Sequence, residues 1–164
     1  MTSEVFEPTY GFESKSYWLN RCIKFACDVH KGLDKSGLPE ILHPLRVMAA
    51  GDPLDISGLK VRILHDCIED LMFSGESQES IINRMKIECR LSGHEVYLLL
   101  LLTHEQNQSY SDYIRAISHS EEATLIKIDD IKDNLTRPHS GIPLKDINRM
   151  KEKYLNALEI FGGE

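Results

Sequence analysis

The sequence predicts an all-α fold. Three observations carry that expectation. Apolar residues recur at three- and four-residue spacing in one segment after another, short polar turns join these segments, and no stretch alternates apolar and polar residues as a strand would. Residues 16–30 (SYWLNRCIKFACDVH) place Trp18, Cys22, Phe25, Ala26 and Val29 at helical spacing. Residues 31–42 (KGLDKSGLPEIL) hold two glycines and a proline and read as a loop. A short helix over 43–50 follows, with Pro44 tolerated in its first turn. Ser57 is the expected cap of a helix running unbroken through ILHDCIED, residues 63–70. Further helices are expected over 77–90, 93–104, 109–118, 121–135 and 144–161. The leucine run near Val96–Leu102 marks the expected central core helix, since it is apolar on all sides. Ser109-x-x-Asp112 comes close to a capping box.

The chain has 164 residues, 41% of them hydrophobic and 27% charged, enough for one domain with a buried core. That domain is expected to span residues 1–164, with its packed part over about 14–161. The first dozen residues and the final Gly-Gly-Glu are expected to stay outside the packing. The start has neither a basic nor an apolar region and does not read as a signal peptide. The leucine run is far shorter than the roughly 20 residues of a membrane span, so no membrane partner is expected. Acidic residues outnumber basic ones 26 to 19, a net charge of −7, which argues against nucleic acid as a partner. A small anionic substrate remains compatible, because a metal ion and a few local cations can reverse the field inside one cleft. Cys22, Cys27, Cys67 and Cys89 form no CxxC pair and no zinc spacing, and are read as small buried thiols of a cytoplasmic protein.

ILHDCIED raises the chemical question, because it sets four ionisable groups inside an apolar helical pattern. On a helix His65 lies one turn before Glu69, and Asp66 one turn before Glu69 and Asp70. An imidazole and a carboxylate could then face a metal, with two more carboxylates about 6 Å along the axis to hold and deprotonate a water. A solvated helix with a chance His-Asp pair is the competing reading. In IKIDDIKDNL (126–135), Ile126, Ile128, Ile131 and Leu135 form the expected buried stripe, and Asp130 and Asn134 share a face. Asp129, Lys132 and Asp133 read as solvated charges. His43, after a loop and before Pro44, stands near a helix start. His43, His65, Asp66 and Asp130 together make two imidazoles and two carboxylates, a set hard enough for Mn²⁺, with Fe²⁺ or Zn²⁺ equally allowed by ligand type.

Four ordered stretches, FACDVHKGLDKSGLPEILHPLRV, ILHDCIED, LTHEQNQSYSDYIRAI and IKIDDIKDNL, resemble the small HD-domain hydrolases related to the hydrolase half of the RelA/SpoT alarmone enzymes. The likeness runs from about residue 17 to the last helix. It implies that His43, His65, Asp66 and Asp130 hold Mn²⁺, that Glu69 and Asp70 handle the attacking water, and that Asn134 faces a nucleotide ribose. The implied reaction removes pyrophosphate from the 3′ position of guanosine tetra- or pentaphosphate, whereas some relatives remove a phosphate from NADPH. Lys35, Arg46, Lys127 and Arg137 are the candidates for neutralising substrate phosphate. The loop departs from the family pattern at Leu33, Asp34 and Glu40, and Asp129 adds a charge beside Asp130. A nucleotide-sensing or protein-binding helical module without chemistry is the expectation that competes with an enzyme.

Overall fold

The computed structural model describes residues 14–162. The first dozen residues, the signal-peptide reading attached to them, and the last two residues lie outside the described residues. Within these bounds the chain is all-α, with nine helices and no strand. They are α1 (Lys15–Val29), α2 (Leu42–Ala49), α3 (Ile56–Leu64), α4 (Cys67–Phe73) and α5 (Gln78–Glu88). After them come α6 (Gly93–Leu102), α7 (Tyr110–Ser118), α8 (Glu121–Thr136) and α9 (Leu144–Ile160). No helix among the described residues is long and apolar enough to cross a membrane.

Local chemistry explains most boundaries. Ser14, Asp55, Ser77, Ser92, Ser109 and Ser120 each accept the backbone N–H three residues on. Each such cap contributes about 1 kcal/mol. Ser92 and Glu95 complete a reciprocal capping box on α6.

The sequence reading needs correction at four places. Asp55, not Ser57, caps α3, and the Ser57 hydroxyl instead donates to Glu95 Oε1 at 2.9 Å. The helix through ILHDCIED is broken at His65–Asp66. His65 Nδ1 donates to the Arg62 carbonyl at 2.8 Å, taking the acceptor that an unbroken helix would offer to the Asp66 N–H. The helix buried on all sides is α3, in which every residue from Leu59 to Leu64 is buried, whereas Tyr97 of α6 is exposed. Finally, Cys22, Cys67 and Cys89 are buried free thiols as expected, but Cys27 is exposed.

α3 packs against α1, α2 and α6, while α8 packs against α2, α6, α7 and α9. Burying α3 also buries two cations, and both are matched. Lys60 Nζ donates to Glu95 Oε2 at 2.9 Å and to the Arg90 carbonyl at 3.1 Å. Arg62 Nη1 donates to Asp129 Oδ2 at 2.6 Å and to the Val47 carbonyl at 3.3 Å, joining α3 to α8 and α2. Removing one partner of such a pair strands a buried charge, at a cost of about 3–5 kcal/mol. A side chain at position 51 would push the buried Arg62 from its partners, since a Cβ there would lie 2.7 Å from Arg62 Cδ and Nε.

Candidate metal centre and cleft

Two helix junctions and one helix face bring the donor atoms together. His43 is the second residue of α2, Asp66 stands in the break between α3 and α4, and Asp130 lies on the buried face of α8. That face is formed by Ala123, Ile126, Asp130, Ile131 and Asn134, so the two polar residues sit on the apolar stripe itself. Ile128, placed on that stripe from sequence, is only half-buried. Asp66 occupies the cap position of α4, but its side chain makes no cap hydrogen bond. Its carboxylate is therefore left to face the two imidazoles.

The geometry fixes how each imidazole is used. His43 Nδ1 lies 2.7 Å from Asp133 Oδ2, and a carboxylate only accepts, so this nitrogen carries hydrogen. His65 Nδ1 is likewise a donor, to the Arg62 carbonyl. The two Nε2 atoms then point into one small space. His43 Nε2 lies 3.1 Å from Asp130 Oδ1 and 3.5 Å from Asp66 Oδ2. His65 Nε2 lies 3.2 Å from Asp66 Oδ1 and 3.7 Å from Asp130 Oδ1, and is buried without a hydrogen-bond partner. The rings meet edge to face at 5.2 Å. Donor atoms of His43, His65 and Asp66 all lie within 4.8 Å of one another, a spacing that suits a single ion. Asp130 stands at the rim of that set, with Oδ2 accepting from Lys127 Nζ and Oδ1 from Asn134 Nδ2, each at 2.6 Å.

Without a metal this convergence demands protons. Burial pushes the His43 imidazole down, but Asp130 and Asp66 overcome it and raise it to about 9. Burial opposes the charge on His65 too, yet Asp66 and Asp130 raise it to about 10. Burial would raise both aspartates, but His65 and His43 hold Asp66 well below the usual carboxylate range. Lys127 and the same imidazoles do so for Asp130. Two imine nitrogens and two carboxylates can thus be neutralised by two protons or by one divalent cation. The residues present fit such an ion, and the stranded His65 Nε2 is the plainest sign of it.

Next to the donors opens a cleft of about 1080 Å³. Glu69 and Asp70 line it from the first turn of α4. Glu69 Oε2 accepts the His104 N–H at 3.3 Å, and burial raises its carboxyl above the ordinary value. Asp70 Oδ2 lies 3.1 Å from Nδ1 of the buried His30, whose Nε2 is 3.6 Å from the Cys67 thiol. Asn134, Lys35, Lys127 and Arg137 line the cleft as well. Arg46 does not line it, because Asp133 engages the guanidinium through Nε at 2.5 Å and Nη2 at 3.0 Å. It steadies Asp133 behind His43 instead of offering charge to a substrate. The Lys127 ammonium is already matched by Asp130.

Several residues of the site escape the sequence reading. Asp133, read as a solvated charge, orients His43, and His30 orients Asp70. Tyr110, Tyr113, His104, Lys153 and Tyr154 form a further wall of the cleft. The Tyr-x-x-Tyr spacing of α7 was the one visible signal for that wall. Asp34, one of the departures from the family's loop pattern, accepts at Oδ1 from the Ser36 and Leu38 N–H groups of its own loop at 2.8 and 3.0 Å. Compared with known proteins, the chain matches no family model and no curated protein.

Proposed function

We propose that this chain is a metal-dependent nucleotide pyrophosphohydrolase of the HD-domain type. Its leading substrate is guanosine tetra- or pentaphosphate, cleaved at the 3′ position to GDP or GTP and pyrophosphate. One observation carries the reading: both imidazoles have their Nδ1 hydrogens committed elsewhere and turn Nε2 toward Asp66 and Asp130. His43, His65, Asp66 and Asp130 would hold a divalent ion, Mn²⁺ by the resemblance to the HD-domain hydrolases, with Fe²⁺ or Zn²⁺ allowed by the ligand types. Such an ion, when bound, supplies Lewis acidity to a water and to a phosphoryl oxygen.

The chain's own groups account for the rest. Glu69, with its raised carboxyl, accepts the proton of the attacking water. Asp70, fixed by His30, orients that water. Asp133 and Arg46 keep His43 in one tautomer, and the Arg62 carbonyl does the same for His65. Asn134, locked onto Asp130, faces the cleft where a ribose would lie.

Purified protein incubated with guanosine tetraphosphate, in Mn²⁺ or in chelator, tests the proposal. Mn²⁺-dependent release of GDP and pyrophosphate, lost in Asp66→Ala, is the expected result. Bound Mn²⁺ without turnover of guanosine tetraphosphate would move the assay to other phosphorylated nucleotides, NADPH first. Neither bound metal nor turnover would leave a helical binding module.

A further inference from the structure

Cys67 opens α4, and its side chain is fully buried. Its surroundings are not wholly apolar, because Sγ lies 3.6 Å from Nε2 of His30, the residue that ends α1. The His30 ring is buried as well and forms part of the cleft wall. Its other nitrogen, Nδ1, lies 3.1 Å from Oδ2 of Asp70, whose side chain is 55% exposed. Thiol, imidazole and carboxylate thus form one line that runs from the core to the cleft. The packing of α1 on α4 brings them together from positions 30, 67 and 70.

Counting donors and acceptors gives this line a direction. A carboxylate only accepts, so hydrogen is favoured on the ring nitrogen that faces it. Nε2 is then left as an acceptor, and a thiol in apolar surroundings keeps its proton and can donate it. Among the described residues, Cys67 is the hydrogen-bond partner of Nε2. Without its S–H, Nε2 would be a buried acceptor with nothing to accept. Moving the ring hydrogen to Nε2 would instead set a bare Nδ1 lone pair against the Asp70 carboxylate. We propose that Cys67 is a positioning residue, whose S–H fixes the hydrogen of His30 on Nδ1 and thereby holds Asp70 toward the cleft by one oxygen. That Asp70 then serves a water rests on the hydrolase reading, whereas the direction of the line does not.

The test is heteronuclear NMR of the two ring nitrogens of His30 in the intact chain at neutral pH, with His30→Gln assigning the signals. It is repeated with Cys67→Thr and Cys67→Val, which share a shape and differ in a hydroxyl against a methyl. Cys67→Ser and Cys67→Ala repeat the comparison at smaller bulk, and circular dichroism establishes which variants are folded. The wild type should carry hydrogen on Nδ1 alone. The hydroxyl variants should keep that pattern and the apolar ones should lose it. In Mn²⁺-dependent turnover of guanosine tetraphosphate, the apolar variants should lose about three- to tenfold in kcat at unchanged KM, and the hydroxyl variants should recover it. A role in packing alone predicts a different order, with valine and threonine alike. Hydrogen on Nε2 of the wild type, or a His30 pattern or kcat unmoved in the folded apolar variants, overturns the proposal. A thiol-dependent His30 pattern in a protein that hydrolyses no phosphorylated nucleotide in Mn²⁺ would uphold the line and remove the hydrolase reading.

Discussion

Loading the centre with a divalent ion should expel two protons, and that count can be worked from the geometry. In the metal-free protein His43 titrates at about 9 and His65 at about 10, so both are cationic at pH 7. An ion can use Nε2 only after its proton leaves. At about 1.4 kcal/mol per unit between pKa and pH, the two deprotonations cost on the order of 5–7 kcal/mol at pH 7. Between pH 6 and 8, where both rings start protonated, apparent Mn²⁺ affinity should rise about a hundredfold per pH unit. Titration calorimetry in buffers of different ionisation enthalpy gives the proton count directly, and a competing chelator gives the affinity at each pH. In Asp66→Asn one carboxylate that holds these protons is gone, so the count should fall. A rise of tenfold per unit or less in the wild type, with no dependence of the heat on buffer, would refute the claim that both imidazoles are charged before the ion arrives.

Stability of the chelated protein should follow the same groups with the opposite sense. Both folded values exceed the histidine value of about 6.5 expected in the unfolded chain, so their contribution is complete below that pH and is lost as pH rises through 9 and 10. The melting temperature in chelator should therefore be lower at pH 9 than at pH 6.5, and Mn²⁺ should restore it at the higher pH. The replacement Asp133→Asn leaves His43 in place but removes its charged anchor, and should weaken Mn²⁺ binding 10- to 100-fold by equilibrium dialysis. Glu69→Gln should keep the metal content of the wild type while turnover of the leading substrate falls by about 10²–10⁴.

What was legible in the sequence was local. Helical spacing and serine caps sit within a few residues of one another, so most of the helices could be read directly. The four donors proposed for the metal likewise lie in three short motifs. The break at His65 was not legible, because a pattern of apolar residues does not reveal that one side chain will take a main-chain acceptor from the helix. Nor was Asp133, whose partner His43 lies 90 positions away and whose own neighbours look solvated. Lys153 resembles any surface lysine of an amphipathic helix until α9 packs on α7 and brings Tyr110 beneath it. Asp34 shows the reverse case, since it departs from the family's loop pattern and yet its carboxylate serves the backbone of its own loop.

Arg62 touches nothing that a substrate would touch, yet three donors depend on it. Its carbonyl aims His65, its guanidinium grips the backbone four residues after His43, and it clasps the carboxylate adjacent to Asp130. The Arg62 side chain therefore ties α2, α3 and α8 together behind the cluster, and its loss would cost fold stability and donor geometry at once. Substitutions at Arg62 and at Gly51, against which it rests, are expected to lower the melting temperature, a change that replacements confined to the exposed charges would not make.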